Sequence, residues 1–364
     1  MRNYLINHQK IVEMLAGIVI SILLLMYYDH RKIDPENLAL GKDTFSVSES
    51  WNGSKFTAYS PSLIQNLVNG LASNPQSGKK YWLWLGNSQL HAINQLKSGD
   101  HLAPYWARKQ LDCDNCPIPL GISVPNSNLQ EYLLLSQFIE SRIKIHGIIA
   151  ELPFIGLRED DIRSELGPLV DGKVKDSLAS SAAGRNVLNS VSVSRKEDGG
   201  SSEKGFQLRM EDGLEGILDD HFRLWRQRNL LKATFIVDLY FFKNWVFNIH
   251  PDTVRKIIHP RYERNMRALE DMLQRSEAQH IKVILYIAPI RKDMKLPYDP
   301  GEYDSWKMQV KALADRYGAK YLDLDDLVPA KYWGTYLKDN IDFMHFQGPG
   351  HKLMGYYMAN ILNH

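Results

Sequence analysis

Between Tyr81 and Leu362, apolar runs of strand length alternate with segments of helical period, and this alternation restricts the fold more than any other feature of the chain. Tyr81-Trp-Leu-Trp-Leu85 ends at Gly86 and reads as a buried strand followed by a turn. Ser88 onward is expected to open a helix with Leu90, Ile93 and Leu96 on one face. Residues 117–124 and 145–152 read as two further strands. Between them a helix is expected over 126–143, with Asn126 as its N-cap. Another helix is expected over 158–169. The pattern resumes with a long amphipathic helix over 252–279 and a strand over 281–288 that Pro289 ends. A helix over 303–317, a strand over 319–324 and a closing helix over 350–362 complete it. Parallel strands need a long crossover, which is most often a helix. The expected fold is therefore α/β, a three-layer α/β/α sandwich around a mostly parallel sheet.

The N-terminus carries a different signal. Residues 14–28 are all apolar, small or aromatic, and Ile11 and Val12 precede them. At about 1.5 Å per residue such a run and its flanks cross a hydrocarbon core of about 30 Å. Glu13 lies near one end, and Tyr27 and Tyr28 stand where an aromatic belt belongs. The following Tyr-Tyr-Asp-His-Arg-Lys has no small-x-small cleavage site, so an uncleaved transmembrane anchor is expected rather than a signal peptide. Arg2 and Lys10 balance Arg31 and Lys32, but the N-terminal arm is short and its only charges are positive. The expected topology has the N-terminus cytoplasmic and the rest of the chain extracytoplasmic. The domain reading is an anchor over 1–28, a stalk over 29–79 with a short helix near 61–71, and a catalytic domain over 80–364. Residues 171–205, rich in Ser, Gly, Ala, Lys and Glu, read as a mobile surface insertion. The aromatic segment 224–247 reads as a helix packed on the domain or on a membrane surface.

Charge and cysteine content exclude several classes. A net charge of +2 with no long basic run argues against nucleic-acid binding. Cys113 and Cys116 are the only cysteines, too few for a disulfide framework or a structural zinc site. They are a local staple, two plain thiols or a redox pair. Asp323, Asp325 and Asp326 follow no metal-loop spacing. Tyr81, Trp82 and Trp84 are core residues or a sugar-stacking platform.

In a parallel α/β sheet, ligands bind beyond the C-terminal strand ends. Two features fall there. Gly86-Asn87-Ser88-Gln89 directly follows the first strand of the domain and exposes a serine at a helix start. Asp342-Phe-Met-His345-Phe-Gln-Gly-Pro-Gly350-His351 precedes the last helix. An Asp and a His three apart on a loop can pair, and the oriented imidazole can then act as base toward a serine from another strand end. His91, three residues after Ser88, is expected to be a surface helix residue that can at most line the site.

Together these blocks resemble the SGNH (GDSL-like) hydrolase superfamily over about residues 80–364. Its nucleophile sits in a Gly-Asp-Ser block, and its Asp and His in a D-x-x-H block near the C-terminus, often followed by Gly-His. The resemblance implies a flavodoxin-like sandwich, a Ser88, Asp342, His345 triad, and no metal or cofactor. Asn87 replaces the family's Asp. The second block reads Gly121-Ile-Ser-Val-Pro-Asn126, with Val124 where the family places an oxyanion Gly, so an amide of Ser123 or Val124 would have to serve. The third block, Gly-x-Asn-Asp, is absent, and the strand end reads Glu151-Leu-Pro-Phe-Ile-Gly-Leu-Arg158. Asn126 and Arg158 are the candidates to fill its role. Sound end blocks and altered middle blocks are similar to the membrane-anchored branch, which includes the D-alanylation protein DltD and the SGNH proteins of polysaccharide O-acetylation. That likeness implies acyl transfer, of acetyl groups, to an envelope polysaccharide beside a polytopic membrane-bound O-acyltransferase. An esterase of the same glycans and a catalytically silent scaffold subunit are the alternatives.

Overall fold

The strand-length runs assemble into a six-stranded sheet whose neighbours all pair in parallel. The computed structural model describes residues 43–74, 78–113, 115–160, 162–197, 254–337 and 340–363. The strands are β1 (Thr44–Ser46), β2 (Ser50–Trp51), β3 (Ser54–Lys55), β4 (Thr57–Ala58), β5 (Lys80–Gly86), β6 (Ala92–Asn94), β7 (Pro117–Ser123), β8 (Gly147–Leu152), β9 (Lys282–Ile287), β10 (Lys320–Asp323), β11 (Trp333–Leu337) and β12 (Asn340–Phe346). The helices are α1 (Pro61–Ser73), α2 (Ser88–His91), α3 (Ala103–Gln110), α4 (Leu129–Glu140), α5 (Gly172–Ala179), α6 (Ala182–Glu197), α7 (His259–Ala278), α8 (Pro300–Arg316) and α9 (Gly348–Asn363).

The main sheet runs β10-β9-β8-β5-β7-β4. Without its short edge strand β4 this is the 2-1-3-4-5 order of flavodoxin-like sheets. Strand periodicity sorts the core into two layers. Leu83 and Leu85 of β5 face the larger one, with α1, α4, α7 and α8. Trp82 and Trp84 face the other, where Ala103 and Ala107 of α3 meet Met354 and Met358 of α9. Trp82 and Trp84 are thus core, Trp84 fully buried, while Tyr81 is half-buried against the larger layer.

Several expectations are corrected. From Thr44 onward the expected stalk is part of the domain. β4 pairs with β7, and α1 buries Ile64 and Val68 under Ser60, its N-cap. The helix after Ser88 stops at His91. Ala92-Ile93-Asn94 pairs antiparallel with Thr44-Phe45-Ser46 instead, and a tertiary ladder overrides the local pattern. The cap of α4 is Asn128, not Asn126. Asn128 and Glu131 form a reciprocal capping box, while Asn126 occupies an exposed left-handed turn position at φ +52°. The expected helix over 158–169 is replaced by two 3-10 turns, Phe154–Arg158 and Ser164–Leu169.

The first part of the expected insertion is helical. Asp171 caps α5, where Val174 and Leu178 are fully buried one turn apart, and Val187 of α6 is fully buried as well. The rest of it, residues 198–205, lies outside the described residues, as do the segment 224–247 and the expected anchor over 1–28. Among the described residues no helix is long and apolar enough to cross a membrane.

Candidate active site

β5 ends at the topological switch of the sheet. The chain goes from β5 to β7 on one side, then to β8 on the other, which leaves a crevice above the C-terminal end of β5. The turn there has no room for a side chain at Gly86. An added Cβ would lie 2.6 Å from Leu90 Cβ and 2.7 Å from Glu151 Oε2. Asn87 caps α2 by accepting from the Gln89 amide at 2.8 Å. Ser88 is the first helical residue, so its amide has no acceptor within the helix. Gln89 Nε2 donates to Pro289 O (3.1 Å) and Met344 O (2.9 Å), tying α2 to the chain after β9 and to β12.

Asp342 and His345 lie on β12, not on a loop. Residues three apart on a regular strand face opposite sides. The β11–β12 pairing is irregular, with register shifts, and such irregularities re-aim side chains. His345 Nδ1 lies 3.0 Å from Asp342 Oδ2, and His345 Nε2 lies 2.9 Å from Ser88 Oγ across 257 residues of sequence. A carboxylate only accepts, so Nδ1 carries the proton and Nε2 presents its lone pair to the serine hydroxyl. Asp342 Oδ1 also accepts from the amides of Met344 (2.8 Å) and His345 (3.0 Å). Its Oδ2 accepts from Asn94 Nδ2 at 2.9 Å and from Thr44 Oγ1 at 3.5 Å. Burial opposes the charged carboxylate, but the adjacent His345 and the hydrogen bonds from His345 and two amides outweigh it. Together they hold Asp342 below its ordinary value. Arg291 Nη1 bridges the hairpin by donating to Gly334 O (2.7 Å) and Asp342 O (3.3 Å). Ser88, Asp342 and His345 are 3%, 2% and 6% exposed, which shields their mutual interactions from water.

The remaining sequence candidates are placed elsewhere or otherwise engaged. The Val124 amide donates to Gly86 O at 3.4 Å, and Ser127 Oγ donates to the same oxygen at 3.0 Å. Ser123 is buried with its Oγ 3.0 Å from His91 Nδ1. Asn126 points to solvent, and Arg158 donates to Lys256 O at 2.6 Å. His91 is buried, not a surface residue. Burial first, then the nearby His345, push it down to about 3, and Tyr59 stacks on its ring. His351 accepts from the Ala103 amide at Nδ1 (3.3 Å) and donates from Nε2 to Ala92 O (3.0 Å). Burial holds it neutral, at about 3. It joins α9 to α3 and β6. Cys113 and Cys116 form a disulfide at the end of α3. Asp323 and Asp325 pair with Lys307, and Asp326 with Lys292, and no metal-ligand cluster exists among the described residues.

Asn94, Thr44, Gln89 and Arg291 were not legible as site residues. Asn94 falls in a segment of helical pattern and Thr44 in a polar one. Neither carries a local signal of the contact it makes.

No family model matches the chain, and no curated protein matches it. Several solved structures align with most of the chain at low identity, three of which follow. A protein assigned as an arylesterase from Agrobacterium tumefaciens has a TM-score of 0.39 at 9% identity, covering 78% of this chain and 98% of that one. The acetylxylan esterase of Geobacillus stearothermophilus has a TM-score of 0.37 at 8% identity, with 79% and 97% covered. A protein assigned to the G-D-S-L lipolytic family from Desulfitobacterium hafniense has a TM-score of 0.34 at 10% identity, with 78% and 99% covered.

Proposed function

We propose that the protein is a membrane-anchored serine acyltransferase that moves an acyl group, acetyl by preference, through Ser88 to a hydroxyl of an envelope polysaccharide. The observation that carries the chemical part is the hydrogen-bonded chain Ser88–His345–Asp342, with links of 2.9 and 3.0 Å. His345 Nε2 takes the Ser88 proton as Oγ bonds to the carbonyl carbon of an ester or thioester. The carbonyl electron pair moves to oxygen, where the Ser88 amide donates. Asp342 keeps His345 in the tautomer that this step needs and stabilises the imidazolium. The tetrahedral intermediate collapses, and the leaving group departs with the proton from His345. An acceptor hydroxyl then repeats the sequence in reverse. No metal or cofactor enters the scheme.

The location and partner rest on the sequence. The apolar run over 14–28 supports a single-pass anchor with the catalytic domain outside the cytoplasm. The likeness to the O-acetylation branch supports a polytopic membrane-bound O-acyltransferase as donor-side partner.

The test is intact mass of the full chain after exposure to an activated acetyl ester, with wild type beside Ser88→Ala and His345→Ala. An acetyl adduct on wild type alone is expected, and its transfer to an added glycan rather than to water separates transferase from esterase. A folded wild-type protein that takes no acetyl group, alone or with its membrane partner, is a scaffold and not a catalyst. A reporter fused after His364 is expected to be active only outside the cytoplasm.

A further inference from the structure

Beneath the Ser88 turn lies a carboxyl group that the mechanism above does not use. Glu151 stands near the end of β8, opposite Tyr286 of β9 in the ladder, and is 1% exposed. Its Oε2 accepts from the Tyr286 hydroxyl at 3.3 Å, and that hydroxyl in turn accepts from Trp84 Nε1 at 3.1 Å. The backbone amide of Asn87, the residue before the serine, donates to the same carboxyl group. Oε2 also lies where a Cβ on Gly86 would be, at 2.7 Å. The carboxyl group thus touches both residues of the turn that aims Ser88. Its other oxygen, Oε1, is buried with no hydrogen-bond partner among the described residues.

We propose that Glu151 is a positioning residue: as a neutral carboxylic acid it seats the Gly86-Asn87 turn that presents Ser88, and its ionisation unseats that turn. The inference rests on the reading of Ser88 as nucleophile. The side chains that face Glu151 from β5, β9 and α4 bring no cation to it. Tyr286 from β9 and Tyr132 from α4 are themselves buried phenols held well above their ordinary value, burial first and the nearby Glu151 second. Trp84 from β5 carries no charge. Burial pushes Glu151 up to about 8, against the opposing pull of the Tyr286 and Asn87 hydrogen bonds. Once ionised, Oε1 has no donor. A buried carboxylate with one oxygen unpartnered is relieved by entry of water or by its own movement. Either event disturbs Gly86, which is pressed against Oε2.

The experiment compares full-length wild type, Glu151→Gln and Glu151→Ala between pH 6 and pH 9.5. Acetylation of Ser88 is timed by intact mass. The wild-type rate is expected to fall roughly tenfold per pH unit beyond about pH 8. Glu151→Gln keeps both hydrogen bonds and cannot ionise. It is expected to keep the neutral-pH rate within about threefold and to lose the alkaline fall. Glu151→Ala is expected to be slower by about a hundredfold throughout, the scale of a misplaced reacting group. An alkaline fall shared by wild type and Glu151→Gln would overturn the proposal, as would a wild-type rate in Glu151→Ala.

Hydrogen exchange of the peptide over residues 83–90 supplies a reading that needs no acylation. After correction for intrinsic pH dependence, wild type is expected to lose protection between pH 7 and pH 9, and Glu151→Gln is not. If this pattern holds and Ser88 takes no acetyl group, the acyl-transfer reading fails and the seating of the turn stands. Equal loss in the two proteins overturns the seating of the turn whatever Ser88 does.

Discussion

The two halves of the site are held by different forces. Ser88 follows β5, the strand between β7 and β8 in the main sheet, and its turn is fixed by close packing at Gly86. His345 and Asp342 stand on a separate two-stranded hairpin outside that sheet. There the geometry depends on individual polar contacts from distant elements: Asn94 at the end of β6, Thr44 at the start of β1, and Arg291 after β9. A turn buried in a close-packed core tolerates loss of a hydrogen bond better than added volume. A hairpin tethered by polar groups shows the reverse sensitivity. The Ser88 half should therefore fail through added volume or a charge buried beneath it, and the His345–Asp342 half through single hydrogen bonds.

The largest effect is expected from Asp342→Asn. It leaves the shape of the hairpin intact but favours the wrong imidazole tautomer, and the acylation rate should fall by about 10⁴-fold, the scale of an Asp→Asn change in a serine-protease triad. Single-turnover acetylation measures this, and a loss below about tenfold would mean that the hairpin orients His345 without its carboxylate. Asn94→Ala comes next. It removes a hydrogen bond to a charged group, worth about 1.5–3 kcal/mol, so acylation should slow by roughly ten- to a hundredfold with little change in KM. An unchanged rate would show that the polar tether does not position Asp342.

Gly86→Ala tests the other half. Its Cβ would overlap Leu90 and Glu151, and thermal unfolding should show a loss of about 1–3 kcal/mol. Full stability with lost activity would break the comparison, because the turn would then yield without cost to the core. Thr44→Val is the smallest expected change. Its hydroxyl lies 3.5 Å from Asp342, at the limit of a hydrogen bond, so the rate should stay within about twofold.

The pH dependence of stability sharpens the same contrast. Asp342 lies below its ordinary value of 3.8 in the folded protein. Its contribution is thus fully present above that value and is lost as pH falls through the lowered one. Unfolding scans on the acid side should therefore be flatter for Asp342→Asn than for wild type. Parallel scans would mean that the hairpin carboxylate gains nothing on folding.

The sheet was largely readable from the chain because its strands are buried on both faces. Such strands appear as continuous apolar runs, and the runs at 81–85, 117–124, 145–152 and 281–288 fall on β5, β7, β8 and β9. Short elements were not readable. β1 to β4 have two or three residues each, too few for any periodicity to show. α2 is a four-residue helix whose apolar pattern continues into a strand, so the sequence suggested one long helix. In α5 and α6 the buried Val174, Leu178 and Val187 are diluted by Ser, Ala and Gly, and composition outweighed spacing.

Taken alone, the sequence determined the α/β alternation, the glycine turn that carries Ser88, and the short Asp342–His345 spacing. These follow from local chemistry: backbone periods, side-chain size and the reach of neighbouring residues. Only the tertiary structure decided that Ser88 and His345 meet at 2.9 Å, that Asn94 reaches Asp342, and that Glu151 lies beneath Gly86. Each of those contacts joins residues more than sixty positions apart. Such contacts depend on how strands order within the sheet and where the hairpin docks, and no local pattern encodes either.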